Sequence, residues 1–262
     1  MNFQEVLSII INNWHIISLF FLIAVLYSSV GFGGGSSYLA VLALTGIAFT
    51  QIRSTALLCN IVVVTGNVFY FAHQKVYNWK KVLPLVLCSV PFAFVGGYLK
   101  ISQPFFFILL GFTLLFAAIT MWISKKIIAN GDNGESSKEI SMVKNASSGG
   151  VIGFISGMIG IGGGIFLAPL LHVSNWDTPK KIAATASFFI LVNSIAGLLG
   201  QYTNPDFYID WNLTSVLLIV VFAGGQIGSR MSNKFLNAIQ LKKATAILIA
   251  FVSIRILWKY LL

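Results

Sequence analysis

Long apolar runs separated by short polar joints organise almost the whole chain. They fall at 16–49, 54–73, 82–99, 104–123, 146–172, 182–202, 212–229 and 244–261. A helix of about 20 apolar residues crosses a hydrocarbon core about 30 Å thick, so the pattern predicts an all-α integral membrane protein. Run 16–49 is too long for a single crossing, because as continuous helix it would measure about 51 Å. It and run 146–172 are both interrupted by glycines, and splitting them there gives pairs of short helices of about 15 residues each. Such a pair enters the membrane and returns to the side it came from. The hydrophilic stretch 124–145 is the one sizeable linker, dividing a first half, 1–123, from a second, 146–262.

The glycine interruptions are nearly the same sentence, written about 129 positions apart. The first reads Gly31-Phe-Gly-Gly-Gly35-Ser-Ser and the second Gly160-Ile-Gly-Gly-Gly164-Ile-Phe. Further matches follow in the same order: Ser54-Thr55-Ala56 with Ala184-Thr185-Ala186, Gly66 with Gly197, and Gly97 with Gly228. Their common order points to an internal repeat. A helix broken inside a bilayer is found where something binds, so two such breaks predict a transporter built from two related halves.

Charge then decides the topology. If all eight runs span, the 17 Lys and Arg divide nine to eight between the two sides, against the positive-inside rule. If the two glycine-split runs are re-entrant hairpins, one side collects thirteen, including the pairs 80–81, 125–126, 180–181 and 242–243. The other side keeps four: Arg53, Lys100, Arg255 and Lys259. Three crossings per half then leave the halves upside down relative to each other. Loop 74–81 carries three lysines, and its counterpart 203–211 carries Asp206 and Asp210 and no base. The expected fold is therefore two inverted repeats, each a hairpin (16–49 or 146–172) followed by three crossings: 54–73, 82–99 and 104–123, then 182–202, 212–229 and 244–261.

Composition agrees with the class. The chain is 57% hydrophobic and 9% charged, against about 25% charged in soluble domains. Its net charge of +10 reads as cytoplasmic lysines beside anionic lipid, not as a nucleic-acid surface. All six tryptophans (Trp14, Trp79, Trp122, Trp176, Trp211 and Trp258) lie near run ends, where interfacial belts form. Cys59 and Cys88 sit within apolar runs and read as small buried hydrophobes. The N-terminus has no basic residue before its first run, so it lacks the basic region of a secretory signal and is expected to be retained.

The hairpin tips carry the candidate chemistry. A short helix is expected to begin at about Ser36 and another at about Ile165. The first amides of a helix have no intrahelical partner, and its dipole places about half a positive charge there. Two such ends facing one cavity near the midplane make an anion site without a buried Lys or Arg. The candidate binding residues are Gly33, Gly34, Gly35, Ser36, Ser37, Thr55, Gly162, Gly163, Gly164, Thr185 and Asn193. Ser36 and Ser37 add hydroxyls that Ile165 and Phe166 lack, so the first half should provide more of the polar contacts. Gly157, Gly160 and Gly164, at spacings of three and four residues, also suit close helix packing. No Lys-Ser or Lys-Thr follows the glycines, which excludes a phosphate loop.

The doubled Gly-x-Gly-Gly-Gly, each copy opening a half of the chain, resembles the TauE/SafE family of sulfite exporters. The continuation Ile165-Phe-Leu-Ala-Pro169-Leu-Leu and the threonine-bearing helix after each copy strengthen the likeness. The resemblance implies export of a small sulfur-containing anion, of the sulfite or organosulfonate class, across a bacterial inner membrane. The first copy departs from the pattern, with Leu39-Ala-Val-Leu42 where the second has Pro169.

The other polar residues narrow the mechanism. All seven acidic residues fall outside the expected spans, which argues against a carboxylate proton relay or Na⁺ site. Arg255 is the first candidate for an intramembrane cation, with snorkelling past Trp258 as the alternative. Arg53 is expected to cap the outer end of a crossing, with lining of the substrate entrance as the alternative. Asn60, Asn67, Asn193 and Gln226 must find partners within the membrane, and Asn193 is the one preferred for the site. His15, His73 and His172 scatter near run ends, so no metal and no cofactor are assigned. No nucleophile–base or embedded carboxylate pair suggests an enzyme. The reading is a secondary transporter working by alternating access; the alternatives are a passive anion channel or a transporter of another small organic anion. Its partners are the anion and the bilayer, and no feature specifies an oligomer.

Overall fold

The computed structural model describes residues 3–129, 142–174, 176–205, 207–231 and 238–261, and every regular element in them is an α-helix. The middle of the expected linker, 130–141, lies outside the described residues, as do Asp206 and Lys234. A short helix that the apolar runs did not predict, α1 (Phe3–Asn12), comes first. Run 16–49 becomes α2 (Trp14–Ser29) and α3 (Gly35–Ala43); run 146–172 becomes α7 (Met142–Ile159) and α8 (Gly164–Val173). Between and after them come α4 (Phe49–His73), α5 (Trp79–Tyr98), α6 (Gln103–Ala129), α9 (Pro179–Tyr202), α10 (Trp211–Met231) and α11 (Ala238–Leu261).

Both glycine-bearing runs break at their glycines, but the arms are unequal. They measure 16 and 9 residues in the first half and 18 and 10 in the second, not about 15 each. The glycines fix the tip, while the returning arm of the first hairpin stops early, at the turn holding left-handed Gly46. Among the described residues five helices are long and apolar enough to cross a membrane: α4, α5, α9, α10 and the 103–120 part of α6. The sixth expected crossing, 244–261, is continuous helix within α11, but it shares that helix with Lys242, Lys243, Arg255 and Lys259.

Helix contacts repeat between the halves. α2 packs on α10 as α7 packs on α5, and α4 meets α10 as α9 meets α5. The short arms follow suit, α3 lying against α4 and α11, α8 against α9 and α6. α4–α9 and α6–α11 join the halves. Exchanging each helix for its counterpart turns every one of these contacts into another of the set.

The α5–α7 seam is the closest. Gly149, Gly153 and Gly157 follow one another at four-residue spacing on α7 and face Leu85, Ser89 and Ala93 of α5. A Cβ on Gly149, Gly153 or Gly157 would lie 2.2, 2.4 or 2.0 Å from the carbonyl oxygen opposite, so backbone rests on backbone. Apolar tails gain nothing by leaving lipid for protein, and close backbone approach is what holds membrane helices together. Of the three glycines expected to serve packing, only Gly157 is in this stripe. Gly160 abuts Arg53 and Gly164 abuts Ile190, because the helix has already broken there.

At the joint between α8 and α9, Lys81 Nζ donates to the Trp176 carbonyl at 2.8 Å and meets Asp177 Oδ2 at 3.3 Å. Lys181 reaches Asp177 Oδ1 at 3.2 Å. Trp176 is buried at 1% exposure among Val82, Leu171, Ile182 and Phe189, which corrects its expected place in the interfacial belt. The chain turns back into the bundle there, and Lys81 stacks over the indole at 5.2 Å. Trp14, Trp79, Trp211 and Trp258 are exposed, as belt residues should be, and the Trp122 side chain lies outside the described residues.

Desolvation tends to raise the Asp177 pKa. The Thr178 amide and the two lysines outweigh it and hold the carboxyl below its ordinary value. A depressed folded pKa adds stability above the unfolded value of about 3.9, and that stability is lost as pH falls through the folded value. Asp177→Asn is accordingly expected to lower thermal stability by about 1–2 kcal/mol at pH 7 and by less at acid pH, as the carboxyl is protonated in the fold. Melting curves in detergent at the two pH values check this.

Candidate functional site

Each hairpin turns on left-handed glycines. Gly34, at φ 82°, sits immediately before α3, and Gly163, at φ 83°, immediately before α8. An L side chain is costly in that conformation, so glycine is required to restart the helix at both tips. The first bonds of α3 run from the Ser37 and Tyr38 amides to Gly34 O, and those of α8 from Phe166 and Leu167 to Gly163 O. The amides of Gly35 and Ser36, and of Gly164 and Ile165, thus stand at the open positive ends of their helices.

Both ends meet at one cavity of about 70 Å³. Gly33, Gly34, Gly35 and Ser36 line it from the first break; Ile161, Gly164 and Ile165 line it from the second. Tyr27, Phe32, Thr120, Ala168, Pro169 and His172 complete the wall together with Asn60 and Ile190. No lining residue is Asp, Glu, Lys or Arg, so the positive potential inside comes from backbone. Taking about 10–15 Å³ per water, the space admits a handful of waters or one small polyatomic ion. Pro169 lacks the amide that would bond the Ile165 carbonyl one turn earlier, which leaves a backbone acceptor at the second rim.

Asn60 is the hinge between the two breaks. It is fully buried, and its Nδ2 donates to Ile161 O at 2.8 Å. Its Oδ1 has no partner. A Cβ on Gly35 would fall 2.2 Å from Asn60 Nδ2 and 2.6 Å from Ile161 O, and one on Gly33 would fall 2.5 Å from Asn60 Oδ1. At the same offset as the Thr55–Thr185 match, Asn60 corresponds to Ile190, whose side chain lies against Gly162 and Gly164 in the same manner. One wall therefore presents an amide where its counterpart presents an aliphatic chain. With Ser36 opposite Ile165, the polar lining is concentrated in the first half.

Five of the residues singled out from sequence come together at this cavity: Gly33, Gly34, Gly35, Ser36 and Gly164. The others lie behind it. Ser37 pairs with Tyr27 Oη at 2.8 Å, so it steadies a lining side chain. Gly162 and Gly163 pack against Ser194 and Phe189. Thr55 shares a hydrogen bond with Thr214 at 3.1 Å, and Thr185 bonds the Lys181 carbonyl of its own helix. Asn193, preferred from sequence, donates to Ser89 Oγ and Phe189 O, joining α9 to α5. Asn67 accepts from Ser28 at 3.0 Å and so ties α4 to α2.

The structure sets the two arginines apart. Arg255 is exposed on α11, while Arg53 is 4% exposed within α4, beside the second break. Arg53 does not cap a helix end, because α4 begins five residues earlier than the apolar run suggested. Cys59 is buried, Cys88 is half-buried, and neither is in a disulfide. Among the described residues no group of His, Cys, Asp or Glu could hold a metal ion.

Residues 16–256 match the family model described as "Sulfite exporter TauE/SafE". The "Probable membrane transporter protein y4hK" of Sinorhizobium fredii is 32% identical over 249 residues, covering 91% of this chain and 96% of that protein. The "Probable membrane transporter protein MJ0441" of Methanocaldococcus jannaschii is 25% identical over 234 residues, covering 82% and 84%. The "Probable membrane transporter protein YunE" of Bacillus subtilis is 25% identical, covering 69% and 71%. No solved structure matches the chain.

Proposed function

This chain belongs to the TauE/SafE sulfite-exporter family of membrane transporters, and from that premise we propose that it exports a small sulfur-containing anion by alternating access. The observation that carries the reading is the meeting of two half-helix N-termini, at Gly35 and Gly164, on one cavity without charged side chains. Anionic oxygens take the free amides of both ends, and the Ser36 hydroxyl adds a donor from the first side. Asn60 Oδ1, an acceptor without a partner, accepts a hydrogen bond from a protonated ligand oxygen or from a water the ligand carries. An oxyanion that keeps one proton or one water satisfies donors and acceptor together. A sulfite or organosulfonate head group has this chemistry.

The site lies at the centre of two inverted repeats, and the exchangeable helix contacts support that arrangement. Each hairpin enters from its own side of a bacterial inner membrane, the lysine-rich loops being cytoplasmic. Opening one side while the other stays closed gives alternating access. With the inside negative, each unit of negative charge gains about 2.3 kcal/mol per 100 mV on leaving, so export needs no carboxylate relay.

Flux in proteoliposomes tests the proposal, with sulfite, methanesulfonate, acetate and chloride compared with and without an imposed potential. Saturable, potential-sensitive movement of a sulfur oxyanion, with exchange between anions, is expected. Non-saturating flux without exchange would make the protein a channel, and flux independent of potential would refute electrogenic export. Orientation has its own check. A cysteine placed at Tyr208 should react with impermeant reagent from outside, and labelling from the cytoplasmic side alone would sink the inverted arrangement.

A further inference from the structure

We propose that Arg53 and Gln201 form a second small-anion site, at the outer end of α4 and α9, where the exported anion pauses after leaving the glycine breaks. The sidedness and ligand class rest on the reading above; the site itself rests on its own geometry. A separate cavity of about 20 Å³ is lined by Thr50, Arg53, Ser54, Gln201, Asn204 and Phe207. Arg53 and Gln201 are each only 4% exposed. Arg53 Nε and Gln201 Nε2 are both buried donors without an acceptor. Ser54 Oγ donates to Gln201 Oε1 at 3.0 Å, which fixes the amide with its NH₂ group left over. The one bond from the guanidinium is a long one, from Nη2 to Gly157 O at 3.5 Å.

Among the described residues no carboxylate pairs with Arg53. A buried guanidinium without a counter-ion is expensive, and within membrane segments such charges mark ion pathways. Water would satisfy the two donors and leave the charge uncompensated. An anion does both, whereas a cation would meet the buried guanidinium charge. At about 10–15 Å³ per water-sized occupant, the cavity admits one halide or the oxygens of one sulfonate head.

Position links this cavity to the first. The Arg53 backbone lies against the second break, within 3.1–3.2 Å of where a Cβ on Gly160 would stand. Its counterpart in the repeat, Ala183, meets the corresponding Gly31 with its Cβ at 3.4 Å and carries no charge. The cation therefore serves one side of the membrane only, as a station on a directional path would.

The test reads this position alone. Thr50→Cys, in a Cys88→Ser chain, is alkylated from outside with a neutral maleimide in chloride, methanesulfonate or gluconate; sulfite is avoided because it adds to maleimides. Chloride and methanesulfonate are expected to slow the reaction about fivefold at roughly four times their Kd, while gluconate, too large for the cavity, does not. Gln201→Glu, whose carboxylate takes the anion's place beside Arg53, should abolish the protection. Asn60→Leu, which disables the midplane site and its flux, should leave it intact. Equal rates in the three salts, protection that survives Gln201→Glu, or protection lost in Asn60→Leu would each overturn the second site, the last by showing that the label reports the midplane. None of these outcomes touches the flux result that tests export itself.

Discussion

Gly35→Ala is expected to reduce anion flux about 100-fold or more, while its repeat partner Gly164→Ala loses less than about threefold. The glycines match in sequence, but their neighbours differ. A methyl on Gly35 would meet Asn60 Nδ2 at 2.2 Å and the Ile161 carbonyl at 2.6 Å. The first is bonded to the second, and both are fixed between the two breaks. Relief must come from moving the hairpin tips apart, which separates the amides that hold the anion. A methyl on Gly164 would meet only the end of the Ile190 side chain, at 2.2 and 2.5 Å, and that end can turn away. Ile190→Val should restore what Gly164→Ala loses and do nothing for Gly35→Ala. Initial rates for the four variants in proteoliposomes, normalised to folded protein, check this. Equal loss at both glycines would show that the tips are equivalent and that the Asn60 bridge has no role.

Gly157→Val is expected to cost the fold rather than the rate. Its Cβ would stand 2.0 Å from the Ala93 carbonyl and 2.7–2.9 Å from two more backbone atoms, none of which can rotate away. Overpacking costs about 1–3 kcal/mol where side chains can adjust. A backbone seam cannot adjust, so the loss should reach a large share of the about 5–15 kcal/mol that holds a protein together. Gly225→Ala on α10 is the matched control, its nearest neighbour lying 3.6 Å away. Size-exclusion profiles and melting temperatures in detergent should separate the two clearly, aggregation for the first and near-normal behaviour for the second. A monodisperse, stable Gly157→Val protein would remove close α5–α7 approach as the organising contact.

Helices and breaks were legible because their causes are local. Apolar runs set the helices, and glycine sentences mark where a helix must stop and restart. All five site residues found at the cavity from sequence belong to those sentences. Asn60 was harder to place, since a lone amide in an apolar run gives no sign of its partner, which is 101 residues away at Ile161. Asn193 has the same appearance and turns out to join two helices instead. A signal did exist: Asn60 aligns with Ile190 in otherwise related halves, and a polar–apolar mismatch at a repeated position marks where the halves differ in task. Arg53 and Trp176 were misplaced for another reason. Each lies at the edge of an apolar run, where sequence alone does not reveal that α4 starts early or that the α8–α9 joint folds inward. α1 escaped because ten residues bounded by asparagines do not make a run.

The measurement that bears most directly on an anion path through the two glycine breaks is sulfite flux by the natural protein and by Asn60→Leu in matched vesicles. Leucine keeps the branched shape and heavy-atom count and removes the amide, and hydrogen bonds to charged groups carry about 1.5–3 kcal/mol, so a loss of about 10- to 100-fold per folded protein is expected. Flux by Asn60→Leu at the natural rate would place the anion's path elsewhere in the protein.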